Sequence, residues 1–204
     1  MIFLGPIYNE VVKLYANKIN HFPLISLSFH AFDKAIFYTL IFIVLRVIWI
    51  RRKNLHVKLA REFWLTFFLF YILLLYFLTV FRDGYFPWQF HFEWHRSLSY
   101  INTEPLIETF KLSHGISKVD FYYNLFGNIL WFIPIGIFLP YLWSKNMKFY
   151  HIVIYGALIS LSIETLQFFL ATGVSDIDDV ITNTIGAIVG YILYRAVHSI
   201  TKKV

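Results

Sequence analysis

Long runs of apolar residues, separated by shorter polar segments, dominate the chain from residue 35 onward. Most of these runs approach the roughly 20 residues that an α-helix needs to cross the hydrocarbon core of a bilayer. The pattern predicts about five transmembrane helices, at residues 35–50, 63–81, 121–143, 149–170 and 180–197. Arg46 interrupts the first run, close enough to one end for its side chain to extend to the headgroups.

The first 30 residues have a different pattern. Between Pro6 and Asn20, apolar residues at positions 7, 11, 14 and 15 recur at helical spacing, with polar residues between them. This amphipathic pattern predicts an N-terminal helix that lies on the membrane surface, ending before a break at Phe22 and Pro23. The predicted fold is therefore all-α: a polytopic membrane helix bundle that forms a single domain over residues 1–204.

Composition excludes most soluble protein classes. Hydrophobic residues make up 58% of the chain and charged residues only 15%, whereas soluble domains average roughly 45–50% apolar and about 25% charged residues. The chain has no cysteine, which excludes disulfides and thiolate metal sites. The net charge of +6 comes from basic residues spread over the loops. We attribute this charge to the orientation of the chain in a membrane and expect no nucleic-acid partner.

The distribution of Lys and Arg predicts the orientation in the cell membrane, because basic residues favour the cytoplasmic side. Three segments are basic: 51–61, 144–148 and the tail after Tyr194. Together they contain Arg51, Arg52, Lys53, Lys58, Arg61, Lys145, Lys148, Arg195, Lys202 and Lys203. Placing them inside predicts an external N terminus, a cytoplasmic C terminus and external segments at 82–120 and 173–179.

Acid and amide residues recur at spacings of three or four in the last three predicted spans, which places each set on one helix face. The candidate ligand-binding residues are Asn124, Asn128, Glu164, Gln167, Asp176, Asp179 and Asn183. All lie toward the predicted outer ends of their helices, so we expect them to converge. A carboxylate such as Glu164 within a span is costly and usually faces a cavity or a partner.

Two other interpretations of these residues remain open. Asp176 and Asp179 can act as first-turn acids favoured by the helix dipole, and the amides can join helices where Gly186 and Gly190 allow close packing. Alternatively, Glu164, Asp176 and Asp179, with Asp120, can supply oxygen ligands to Mg²⁺ in a membrane enzyme that acts on an envelope lipid. The sequence contains no evident nucleophile or base with a partner, and no cofactor is assigned.

Histidines in the outer segment raise the question of zinc. His91, Glu93 and His95 alternate with aromatic residues, and His114 follows later. The spacing has no second ligand motif, and alternation with Phe92 and Trp94 is typical of an interfacial aromatic belt. We therefore interpret this segment as interfacial.

Four short stretches resemble the VanZ-like family of membrane proteins: Asn102–Pro105, 124–136, 164–167 and 176–186. They occur in the family order and cover about residues 100–195. One departure is Val174 and Ser175, in a turn where many members carry an Arg. The resemblance implies a cell-envelope role and resistance to glycopeptides such as teicoplanin, without a mechanism.

The resemblance and the outward location of the polar residues favour a pocket that binds a membrane lipid, a lipid-linked envelope precursor or a lipophilic glycopeptide. A metal-dependent enzyme and a purely structural membrane subunit are the alternatives.

Overall fold

The computed structural model describes residues 1–105, 118–143 and 147–201, with the backbone alone described for residues 118–125 and 201. The helices of these parts are α1 (Gly5–Tyr15), α2 (Phe22–Arg52), α3 (Leu59–Thr79), α4 (Lys118–Leu142), α5 (Phe149–Phe169) and α6 (Ile177–Thr201). Two short strands, β1 (Ile101–Asn102) and β2 (Ser175–Asp176), pair in parallel. The chain is therefore mostly helical, but the strictly all-α prediction missed this strand pair.

Three helices, α3, α5 and α6, are long and apolar enough to cross a membrane. The prediction of about five spans is confirmed only for these three. In α2 the uncharged stretch is short because Asp33 and Lys34 precede it and Arg46 follows it. In α4 the apolar part with described side chains, Phe126–Leu142, falls short of a full span.

The chain packs as two compact units, Met1–His91 and a second that begins at Phe92. The first contains α1–α3, with a buried apolar cluster where α2 meets α3. α1 is present where the sequence predicts a helix and has no buried residue; its position on a membrane surface stays a prediction, as does the single domain. Pro23 lies in the first turn of α2, so the predicted break marks a helix start instead.

Two adjacent charged residues hold the first unit together. The Asp33 carboxylate accepts hydrogen bonds from the backbone N–H groups of Ile2, Phe3 and Leu4, each at 2.7 Å. The Tyr85 hydroxyl donates to the same carboxylate at 2.9 Å. Burial, together with this hydrogen bond and the charge of Asp33, raises the pKa of Tyr85, which keeps it a donor.

Lys34, only 2% exposed, points to the chain that follows α3. Its ammonium donates to the carbonyls of Phe81, Arg82 and Gly84 at 2.6, 3.1 and 3.0 Å. A buried charge is tolerated when hydrogen bonds replace its water. Lys34 therefore fixes the first residues after the span α3.

In the second unit, α4 and α6 run in the same direction and approach to backbone contact. A Cβ added to Gly186 would overlap the Ile129 carbonyl, and one added to Gly190 would overlap the Ile133 carbonyl. The spacing of Gly186 and Gly190 on α6 matches the small-xxx-small pattern of membrane helix pairs, and their contacts on α4, Ile129 and Ile133, are also four residues apart. The close packing expected of these two glycines is therefore present.

Candidate functional site

The strand pair positions the first polar group of the site. In the register of β1 and β2, Asn102 faces Asp176, and the Asn102 amide donates to Asp176 Oδ1 at 3.1 Å. The same oxygen accepts the backbone N–H of Asp178 at 2.9 Å. Asp176 immediately precedes α6 and so caps its N terminus, in the way that Asp commonly does.

Glu164 connects α5 to this capped turn. Its Oε2 accepts the backbone N–H of Asp176 at 2.9 Å, and the residue is only 3% exposed. The bond joins the last third of α5 to the start of α6 across the turn between them. The costly carboxylate predicted within this span therefore has a protein partner at one of its two oxygens.

Asp179 and Asn183 complete the connection among the three helices. The Asn128 amide, on α4, donates to Asp179 Oδ1 at 2.6 Å. On the next turn of α6, the buried Asn183 amide donates to Ser160 Oγ of α5 at 2.9 Å. Ser160 Oγ in turn lies 3.5 Å from the Asp179 carbonyl and donates to it.

The predicted convergence therefore holds for five candidate residues, of which four lie on α4, α5 and α6 and Asp176 lies in β2 directly before α6. They are Asn128, Glu164, Asp176, Asp179 and Asn183. The Asn124 side chain lies outside the described residues. The Gln167 side chain lies against the turn after α5, where its carboxamide carbon is 3.5 Å from a Cβ built on Gly173.

Sequence reasoning missed several residues that build the site. Asp178, which is not among the candidate residues of the sequence analysis, is only 4% exposed. Its carbonyl accepts the Thr182 hydroxyl at 2.9 Å, a bond that the four-residue spacing could have indicated. Asn102 was part of a recognised motif, but only the strand register brings it to Asp176.

Arg96 is a further residue that the sequence did not single out. Its guanidinium donates to the carbonyls of Gln167, Phe168 and Gly173 at 3.1, 2.7 and 3.0 Å. These bonds satisfy carbonyls at the C-terminal end of α5 and place a positive charge where the helix dipole favours it. An arginine from a distant loop thus holds the turn that contains Val174 and Ser175.

The outer segment around the histidines docks on α5 through aromatic and backbone contacts. The Glu93 N–H donates to the Phe169 carbonyl at 2.7 Å, and the Trp94 ring lies 5.2 Å from that of Phe169. Among the described residues, no three His, Asp or Glu side chains form a group that could hold a metal ion. His114 and the Asp120 side chain lie outside those residues.

The site is rich in carboxylates. Asp176, Asp178 and Asp179 lie within four residues of sequence, and Glu164 bonds to the backbone N–H of Asp176. Among the described residues, no Lys or Arg side chain forms an ion pair with Glu164, Asp176 or Asp179. Nor does any described donor reach Glu164 Oε1 or Asp179 Oδ2. With respect to the described residues, these two oxygens therefore keep acceptor capacity, which suits a ligand with hydroxyl, amide or ammonium donors.

A family profile and a sequence relative both indicate the same family. A profile of the VanZ/LLP1 family matches residues 68–198, a segment that contains every described residue of the site. Protein VanZ of Enterococcus faecium is 38% identical over 71 residues, which is 35% of this chain and 44% of that protein. The matched segment therefore spans less than half of this relative. No solved structure shows a significant match.

Proposed function

The chain belongs to the VanZ/LLP1 family, and on that basis we propose that it is a cell-envelope membrane protein whose polar site binds a lipid-linked or lipophilic ligand. The observation that carries this proposal is that polar side chains of two apolar helices bond to the start of a third: Asn128 of α4 bonds to the Asp179 carboxylate, and Glu164 of α5 accepts the Asp176 N–H. Polar and charged groups within a membrane are costly and are generally retained for a function. A glycopeptide such as teicoplanin is the ligand class that the family resemblance suggests.

We further propose five membrane crossings with the N terminus outside and the C terminus in the cytoplasm. The charge that weakens α2 as a span is paired: Arg46 Nε and Nη2 donate to the two Glu62 oxygens at 2.7 and 2.8 Å. At 31 residues the helix is longer than a bilayer requires. In this orientation the ends of α4, α5 and α6 that carry the polar site face the cell exterior.

An outward acidic site whose Glu164 Oε1 and Asp179 Oδ2 accept no bond from a described residue can capture a drug or a lipid-linked precursor through several donor groups at once. Hydrogen bonds to charged groups contribute about 1.5–3 kcal/mol each. Capture at the membrane surface would lower the amount of drug that reaches its target. This role requires binding but no covalent chemistry.

The test uses amide replacements that keep shape and remove charge. We expect that producing the chain in a teicoplanin-susceptible strain raises the inhibitory concentration of the drug, and that Glu164→Gln and Asp179→Asn abolish most of this increase. In each variant the remaining carbonyl oxygen can still accept the bond from Asp176 N–H or Asn128, so the fold is retained. Membrane levels are measured by immunoblot.

Matched controls carry the same replacements at exposed acids. Glu10 is 64% exposed at its side chain, and Asp83 is exposed after α3, so Glu10→Gln and Asp83→Asn should keep the phenotype. Full resistance in the two site variants at normal membrane levels would refute the binding role. Reduced membrane levels in the site variants alone would favour a structural role instead.

A further inference from the structure

A second site lies in the first unit, in a cavity of about 520 Å³ at the turn between α2 and α3. Its lining contains three cationic side chains, Arg46, Lys58 and Arg61, against one acid, Glu62. Trp49, His56 and the apolar side chains of Leu55 and Val57 complete the lining. The cavity thus combines a net positive charge with an apolar part.

The floor of the cavity is preorganised. Arg46 is held by its two hydrogen bonds to Glu62, and its guanidinium carbon lies 4.6 Å from the centre of the Trp49 ring. The paired charges of Arg46 and Glu62 offset each other, and the side chains of Lys58 and Arg61 are exposed at the rim of the cavity. Arg61 also interacts electrostatically with Glu62.

The position of the cavity at the start of α3 places it at the level of the lipid headgroups if α3 crosses the membrane. α3 begins at Leu59, next to Lys58, and its 21 residues extend about 31 Å, close to the hydrocarbon thickness. Its first turn exposes Leu59 and Phe63 to the surroundings, at 85% and 60%. The helix N terminus adds a partial positive charge that favours an anion.

We propose that this cavity binds the phosphodiester headgroup of an anionic phospholipid, with Lys58 and Arg61 contacting the phosphate. Basic pockets between membrane helices on the cytoplasmic side recognise anionic headgroups in this way. The apolar lining beside the charges and the exposed apolar start of α3 suit the glycerol and acyl parts of a lipid. This site is separate from the polar site of α4–α6 and does not depend on its function.

The experiment measures lipid retention. The full chain is purified in detergent with an equimolar mixture of phosphatidylglycerol and phosphatidylcholine, and retained lipids are counted by native mass spectrometry. At about 1 kcal/mol per basic residue, or about fivefold, the double variant Lys58→Gln/Arg61→Gln should reduce the preference for phosphatidylglycerol about 25-fold. The variant Lys58→Arg, which keeps the charge, should preserve it.

The matched control is Arg51→Gln/Arg52→Gln, which removes the same charge from the adjacent end of α2, outside the cavity lining. Because diffuse attraction depends on total charge, an equal loss in both double variants would overturn the proposal, as would no loss in either. Displacement of the lipid by millimolar inorganic phosphate would show that the site serves a soluble anion instead. Circular dichroism checks the fold, and if the double variant misfolds, lack of phosphatidylglycerol preference in the wild-type chain still refutes the site.

Discussion

The packing of α4 against α6 gives the sharpest test of how the polar site is held together. A Cβ at Gly186 would overlap the Ile129 carbonyl and lie 2.9 Å from the Phe132 Cβ. Carbon atoms pack at about 3.5–4.0 Å, so Gly186→Ala forces the two backbones apart by about 1 Å. The same displacement would break the 2.6 Å bond between Asn128 and Asp179.

The free-energy cost has three parts. Overpacking costs about 1–3 kcal/mol, loss of a hydrogen bond to a charged group about 1.5–3 kcal/mol, and the higher helix propensity of Ala returns about 1 kcal/mol. We expect Gly186→Ala to lower the free energy of unfolding by about 1.5–5 kcal/mol. For a chain of this size, this corresponds to a decrease in Tm of about 3–20 °C.

The assay is thermal unfolding of the purified protein in detergent, followed by far-UV circular dichroism. Gly127→Ala is the matched control, because no described residue lies within 4 Å of a Cβ there, although Gly127 directly precedes Asn128 in α4. It should leave the Tm unchanged or raise it slightly. If Gly186→Ala unfolds at the same temperature as Gly127→Ala, the helices do not pack at backbone contact and the reasoning fails.

Two further substitutions test other buried hydrogen bonds. Lys34→Met removes the donor to three carbonyls after α3 and should lower the free energy of unfolding by about 3 kcal/mol. Limited proteolysis should then cut near residues 81–84, whereas the exposed control Lys18→Met should resemble the wild type. Protection of Lys34→Met equal to that of the wild type would contradict the role of Lys34. Arg96→Lys cannot reproduce the fork that reaches Gly173 and the end of α5, so we expect a loss of about 1–2 kcal/mol by thermal unfolding, and an unchanged Tm would show that these bonds contribute little.

The candidate site was largely predictable because helical spacing alone places residues on one face. Glu164 in an apolar run and the repeated spacing of Asp176, Asp179 and Asn183 indicate polar faces directly from the order of residues. That these faces meet followed from the membrane pattern, since helices that start or end on one side bring their polar ends to one level. The partners of each group did not follow, because spacing carries no information about which oxygen a neighbouring helix approaches.

What the sequence determined by itself is the membrane class of the chain, its apolar helices and the polar faces of the last helices, since length, hydropathy and period are local properties. Tertiary structure decided the rest. The strand register places Asn102 opposite Asp176, Arg96 bonds to the end of α5 and the turn after it, and Lys34 bonds to carbonyls beyond α3. Each of these contacts joins residues distant in sequence, and their geometry exists only after the helices have packed.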